Sequence, residues 1–85
     1  MKLLVVEDEA LLRHHLYTRL GEHGHVVDAV QDAEQALQRV AESSHDLAIV
    51  DLGLPGMSGL ELIQELRSQG KQLPILILTA GQLAR

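Results

Sequence analysis

Three runs of four consecutive apolar residues constrain this chain more than any other feature: Leu3 to Val6, Leu47 to Val50 and Ile75 to Leu78. Short apolar runs bounded by turn residues read as buried strands, and a run without polar alternation expects cover on both faces. The middle run ends abruptly at a carboxylate, Asp51. A loop carrying Gly53, Pro55, Gly56 and Gly59 follows, and Ser58 precedes a helical pattern. Asp51 is therefore expected at the C-terminal tip of a buried strand. In open α/β sheets that rim is where ligands bind. Position alone equally allows Asp51 as an ordinary turn residue that caps the loop.

Helical patterns fill the intervals. Leu12, Leu16 and Leu20 recur at helical spacing through Ala10 to Leu20, with Gly21 or Gly24 as the stop. Arg13, His14, Arg19 and Glu22 fall mostly on the polar side of that helix. His25 to Val30 is a weaker strand, interrupted by His25 and Asp28, and suits a sheet edge. Asp32 with Gln35 resembles a capping box, and Ala33, Ala36, Leu37, Val40 and Ala41 form an apolar stripe behind it. Ser58 with Glu61 is a second capping box, followed by Leu62, Ile63 and Leu66, with Gly70 closing the helix. Pro74 opens the last run, where its missing donor lies at the end of the ladder. The order β-α-β-α-β-α-β predicts an α/β fold: an open parallel sheet of about four strands, with three helices distributed over both faces. The sequence contains no internal repeat, low-complexity tract or interdomain linker.

Composition narrows the function classes. At 85 residues the chain is one domain with a modest core. Its net charge of −5 and lack of a Lys/Arg run argue against direct nucleic-acid binding and against anionic membranes. Tyr17 is the only aromatic residue, which disfavours base stacking. Without cysteine there is no disulfide or thiolate metal site. The first apolar run is too short for a signal peptide and nothing approaches membrane-spanning length, so the expected location is cytoplasmic.

Glu7, Asp8, Asp51 and Thr79 come from three strands, yet each falls at a strand's C-terminal end. Three carboxylates on one rim repel each other. A raised pKa or a bound cation resolves that repulsion. Mg²⁺ suits the donor set, because it takes oxygen ligands and typically uses one or two carboxylates plus a phosphate. A carboxylate can also act as a nucleophile and form an aspartyl phosphate. Glu7, Asp8 and Glu9 read alternatively as an acidic helix start, with Glu9 just inside the helix. His14, His15, His23, His25 and His45 are scattered without a recognisable ligand spacing. The glycines after Asp51 lack the Gly-Lys-Ser/Thr of a P-loop.

These residues carry a resemblance. Leu4-Val5-Val6-Glu7-Asp8-Glu9, then Asp51 with Leu52-Gly53-Leu54-Pro55-Gly56-Met57-Ser58-Gly59, then Leu76-Ile77-Leu78-Thr79-Ala80 resemble the receiver domain of bacterial response regulators. The chain is most similar to the OmpR/PhoP-type transcription regulators. The resemblance implies a CheY-like, flavodoxin-like fold and a place in a two-component phosphorelay. By position, Asp51 would accept a phosphoryl group from a sensor histidine kinase. Glu7, Asp8, Asp51 and the Gly53 carbonyl would hold Mg²⁺. Thr79 would be the switch hydroxyl. Such a chain is a phosphoryl acceptor rather than an enzyme. A phosphatase would want a second carboxylate just after Asp51, where Gly53 stands.

The family pattern also includes another helix, a fifth strand ending in Lys-Pro and a final helix. This sequence stops at Arg85, and its lysines, Lys2 and Lys71, do not occupy the family's lysine position. Residues 1–80 thus read as a truncated receiver and residues 81–85 as a short tail without evident role. On this reading the Ile75–Leu78 edge is bare. The alternative function is an inactive fragment, or an interaction module that self-associates through that edge.

Overall fold

The computed structural model describes residues 1–79 and 82–84, with side chains through Leu78. Ala80, Gly81 and Arg85 lie outside the described residues. The elements in order are β1 (Lys2–Val6), α1 (Ala10–Glu22), β2 (Val26–Val30), α2 (Ala33–Glu42), β3 (Leu47–Asp51), α3 (Gly59–Ser68), β4 (Ile75–Thr79) and β5 (Gln82–Ala84). They form one sheet in the order β2-β1-β3-β4-β5. The first four strands are mutually parallel, as the βα alternation predicts.

The chain steps from β1 outward to β2, then returns past β1 to β3 and on to β4. Right-handed crossovers in opposite directions place their helices on opposite faces. The packing agrees. Leu4, Val6, Ala48 and Val50 are buried with Ala33, Ala36 and Val40 of α2 and with Leu62 and Leu66 of α3. The alternate strand residues Val5, Ile49 and Leu78 form a smaller cluster, against which Leu12, Leu16 and Leu20 of α1 are only partly buried. The point where the chain reverses direction lies between β1 and β3.

Helix ends show where local chemistry decides. The Ser58–Glu61 box is complete, with both reciprocal hydrogen bonds at 3.1 Å. The Asp32 box is half formed. Asp32 Oδ1 accepts from the Gln35 N–H at 2.9 Å, but the Gln35 side chain reaches the Gln31 N–H instead. Glu9 is the N-cap of α1, its carboxylate accepting the Leu12 N–H, rather than a residue inside the helix. Helix α1 runs through Gly21 to Glu22, and the chain turns at Gly24 with φ +86°. β2 occupies the sheet edge that its mixed composition suggested, with Val26 exposed.

One expectation is corrected. The segment read as a tail without a role supplies β5, which pairs antiparallel with β4: Ile77 opposite Ala84, Leu78 opposite Leu83 and Thr79 opposite Gln82. The outer edge of β4 is therefore not bare over Ile77–Thr79. Unpaired strand N–H and C=O groups demand partners, and a short extended segment close in sequence meets that demand.

The two faces of the sheet should differ in their tolerance of truncation. Leu62→Ala, which empties a fully buried site between α3 and the sheet, is expected to cost about 2–5 kcal/mol. Leu16→Ala, on the half-covered face, should cost less. Urea denaturation of the two variants checks the order.

Candidate functional site

The site grows from the register of two strands. Val6 lies opposite Val50 in the parallel β1–β3 ladder, so the chain leaves both strands at the same rim. Glu7 follows Val6, and Asp51 ends β3. Oxygen atoms of Glu7, Asp8 and Asp51 all lie within 4.8 Å of one another. The three sequence-derived acids are thus brought together at the reversal point of the sheet, where doubly wound folds bind ligands.

Their environments differ. Glu7 is buried, Asp51 half-buried and Asp8 exposed. The Glu7 N–H donates to Val30 O at 3.0 Å, tying the end of β1 to β2. Its Oε2 accepts the Glu9 N–H at 2.9 Å. Burial pushes the Glu7 carboxyl above its usual pKa; the Glu9 N–H opposes the shift, and the charges of Asp51 and Asp8 add to it. Asp51 Oδ1 accepts the Gly53 N–H at 3.1 Å. A Cβ on Gly53 would stand 3.7 Å from that same oxygen, in ordinary van der Waals contact with the carboxylate.

The β3–α3 loop is held from two ends. Leu54 is buried in the core, and Leu52 N–H donates to Leu78 O at 3.3 Å, joining the loop to β4. The pairing of Asp51 with Leu78 puts the backbone of Thr79 one position beyond, at the same rim. The Thr79 hydroxyl lies outside the described side chains.

Two residues escaped the sequence reading. Gly59 was only loop punctuation there. In the fold a Cβ on it would lie 2.2 Å from Asp51 O and 2.8 Å from Leu52 Cα. Only glycine lets the start of α3 come this close to the end of β3. No sequence signal separates this glycine from its loop neighbours. Arg13, assigned to the polar side of α1, instead donates from Nη1 to Glu7 O at 2.9 Å and to Asp8 O at 3.4 Å. Among the histidines, His45 has a buried ring whose Nε2–H donates to Asp28 at 2.8 Å.

The donor set fits a hard divalent cation. It consists of carboxylate oxygens alone, in mutual reach, and one of them is buried at an electrostatic cost that a cation would remove. The same crowding leaves Asp51 half-exposed on the rim, open to an incoming electrophile.

The response regulator receiver domain family matches residues 3–84. The chain belongs to that family. The two-component response regulator PhoP of Pseudomonas aeruginosa is 84% identical over 80 residues, covering 94% of this chain and 36% of that protein. The receiver therefore spans about a third of the length of this relative. Among solved structures, the response regulator TrrA of Thermotoga maritima in complex with Mg²⁺–BeF is 39% identical, with TM-score 0.86, over 93% of this chain and 69% of that one. A chain in the complex of histidine kinase ThkA with TrrA is 38% identical, with TM-score 0.87, over 99% of this receiver and 72% of that chain. High-identity relatives are PhoP-type regulators, as the motif resemblance implied. Among the described residues no helix is long and apolar enough to cross a membrane.

Two outcomes follow from the geometry. Gly59→Ala should destabilise the receiver by about 3 kcal/mol, read by urea denaturation, because backbone rather than a flexible side chain must move. Glu7 holds its proton to higher pH when folded than when unfolded. Between the two pKa values the folded state binds more protons. The contribution of Glu7 to metal-free stability should therefore be fully present below the unfolded value and be lost as pH rises through the folded one. Thermal melting in EDTA across that range checks this slope, which Glu7→Gln should flatten.

Proposed function

We propose that the receiver accepts a phosphoryl group on Asp51 from a sensor histidine kinase and passes that state to the rest of a PhoP-type transcription regulator. The observation that carries the reading is the cluster itself: an accessible carboxylate at a strand tip, held beside two further acids by the β1–β3 register. The Mg²⁺–BeF complex of TrrA and the ThkA–TrrA complex support both the cation and the kinase as partners.

In the step proposed, an Asp51 carboxylate oxygen attacks phosphorus and forms the P–O bond of an acyl phosphate. The bond from phosphorus to the phosphohistidine nitrogen breaks; that nitrogen keeps the electron pair, and a proton already on the other ring nitrogen makes the leaving group neutral imidazole. The Gly53 N–H on Oδ1 orients the carboxylate and leaves Oδ2 for attack. Glu7, Asp8, Asp51 and the Gly53 carbonyl would hold Mg²⁺. When bound, that ion supplies neutralisation of the phosphoryl oxygens and of the clustered acids. Thr79, one residue past the Asp51 partner Leu78, would approach the phosphoryl group with its hydroxyl. In this role the receiver is modified rather than turning over substrate, so it is not itself an enzyme. An acidic chain acting in this way works in the cytoplasm, and makes no direct contact with nucleic acid or membrane.

Incubation with Mg²⁺ and acetyl phosphate, followed by intact-mass analysis, tests the assignment. One phosphoryl adduct is expected, lost in Asp51→Asn. An adduct that survives that substitution, or one mapped to Ser or His, overturns it. Asp8→Asn should weaken Mg²⁺ binding in an NMR titration, by removing one charged ligand.

A further inference from the structure

We propose that Arg13 is a positioning residue for the acidic cluster: its guanidinium clamps the backbone that carries Glu7 and Asp8, so that their carboxylates stay gathered and free for the cation. The inference rests on the metal reading above and adds a residue to it.

Three observations converge on Arg13. The first is its place on α1. Side chains on a helix lean toward its N-terminus. Arg13 is the fourth residue after the N-cap Glu9, so a long side chain there reaches back over the cap. It arrives at the carbonyls of Glu7 and Asp8, at 2.9 and 3.4 Å, and is half-buried in doing so.

The second is electrostatic. A cation near a helix N-terminus is opposed by the helix dipole. Arg13 touches the backbone of two members of the acidic cluster, yet among the described residues it forms no ion pair with Glu7, Asp8 or Asp51. Its donors go to two consecutive peptide carbonyls instead. The carboxylate oxygens are left unpaired by this arginine, and two carbonyls that could compete for a cation are occupied.

The third is the absence of slack elsewhere in the turn. The Glu7 N–H is held by Val30 O, the Glu9 N–H by Glu7 Oε2, and the Arg13 N–H by Glu9 O. The carbonyl side of the same turn is held by Arg13. Removing the guanidinium releases the carbonyls on either side of Asp8, leaves the Asp8–Glu9 peptide held through the Glu9 N–H alone, and loosens the base of the exposed Asp8 side chain.

Arg67 supplies an internal control. Its Nη1 donates to Lys71 O and Leu73 O, each at 2.9 Å, the same kind of clamp at the α3–β4 connection and away from the acids. A purely structural role for Arg13 would make the two arginines equivalent.

The experiment is an NMR titration of the 85-residue chain with Mg²⁺, following the amides of Glu7, Asp8, Asp51 and Gly53, together with thermal melting in EDTA. Arg13→Met is expected to weaken Mg²⁺ binding about tenfold, as loss of an outer-sphere partner does. Arg13→Lys should recover part of that loss. Arg67→Met should lower the melting temperature while leaving Mg²⁺ affinity unchanged. The sign is diagnostic, because removing a nearby positive charge would by itself tighten cation binding. Unchanged or tighter Mg²⁺ binding in folded Arg13→Met overturns the proposal while the metal site stands. If Arg13→Met does not fold, Arg13→Lys carries the comparison, and affinity equal to wild type overturns the clamp. Absence of saturable binding in the wild-type chain removes the metal reading and the clamp together.

Discussion

The parallel alignment of β1 with β3 is the constraint on which the rest depends. With Val6 opposite Val50, the first residues beyond the sheet on each strand are carboxylates on one rim. A slip of one residue would exchange the faces of one strand relative to the other, putting side chains of the wrong size into each packed layer, and would move Glu7 out of line with Asp51. Both faces of these strands are apolar and buried, so the register rests on how side chains of different size fit each face rather than on apolar–polar alternation: Leu4, Val6, Ala48 and Val50 toward α2 and α3, Val5 and Ile49 toward α1. The core therefore does more than stabilise the fold. It forces together charges that would otherwise move apart.

That enforcement has a local cost. Glu7 is buried beside two other acids, and its carboxyl resists ionisation mainly because water is excluded from it. Strained or unfavourable arrangements persist only where the surroundings over-determine them. Here the surroundings are the Glu7 N–H bond to Val30, the Leu54 anchor of the loop and the contact of Gly59 with the backbone of Asp51 and Leu52. Each comes from a different part of the chain. The site is consequently stiff in position and unfavourable in charge, the combination that makes a cation or an added phosphoryl group able to change the balance.

The two faces of the sheet are unequal. Among the described residues, helices α2 and α3 seal one face, with Leu62 and Leu66 fully buried, whereas α1 packs on the other and its Leu12, Leu16 and Leu20 are partly buried. The antiparallel strand β5 closes part of the β4 edge by backbone pairing. Pairing along an edge satisfies hydrogen bonds but leaves the α1 side with less apolar cover than the opposite face.

The sequence by itself determined the alternation of strands and helices and the rim positions of Glu7, Asp8 and Asp51; that the three meet depends on β1 and β3 being neighbours, which the sheet order decides. The reason is that apolar runs, capping boxes and turn glycines act over a few residues, and the right-handed crossover converts their order into topology. It placed β2 at an edge from two polar interruptions, His25 and Asp28. It missed β5, because three residues with no periodicity carry no strand signal until an unpaired edge lies beside them. Gly59 and Arg13 were invisible for a related reason. A glycine's need for close approach depends on which backbone lies over it, and an arginine's partners depend on which carbonyls its helix start faces. Only the tertiary structure decides those, since both partners are supplied by packing rather than by neighbours along the helix or loop.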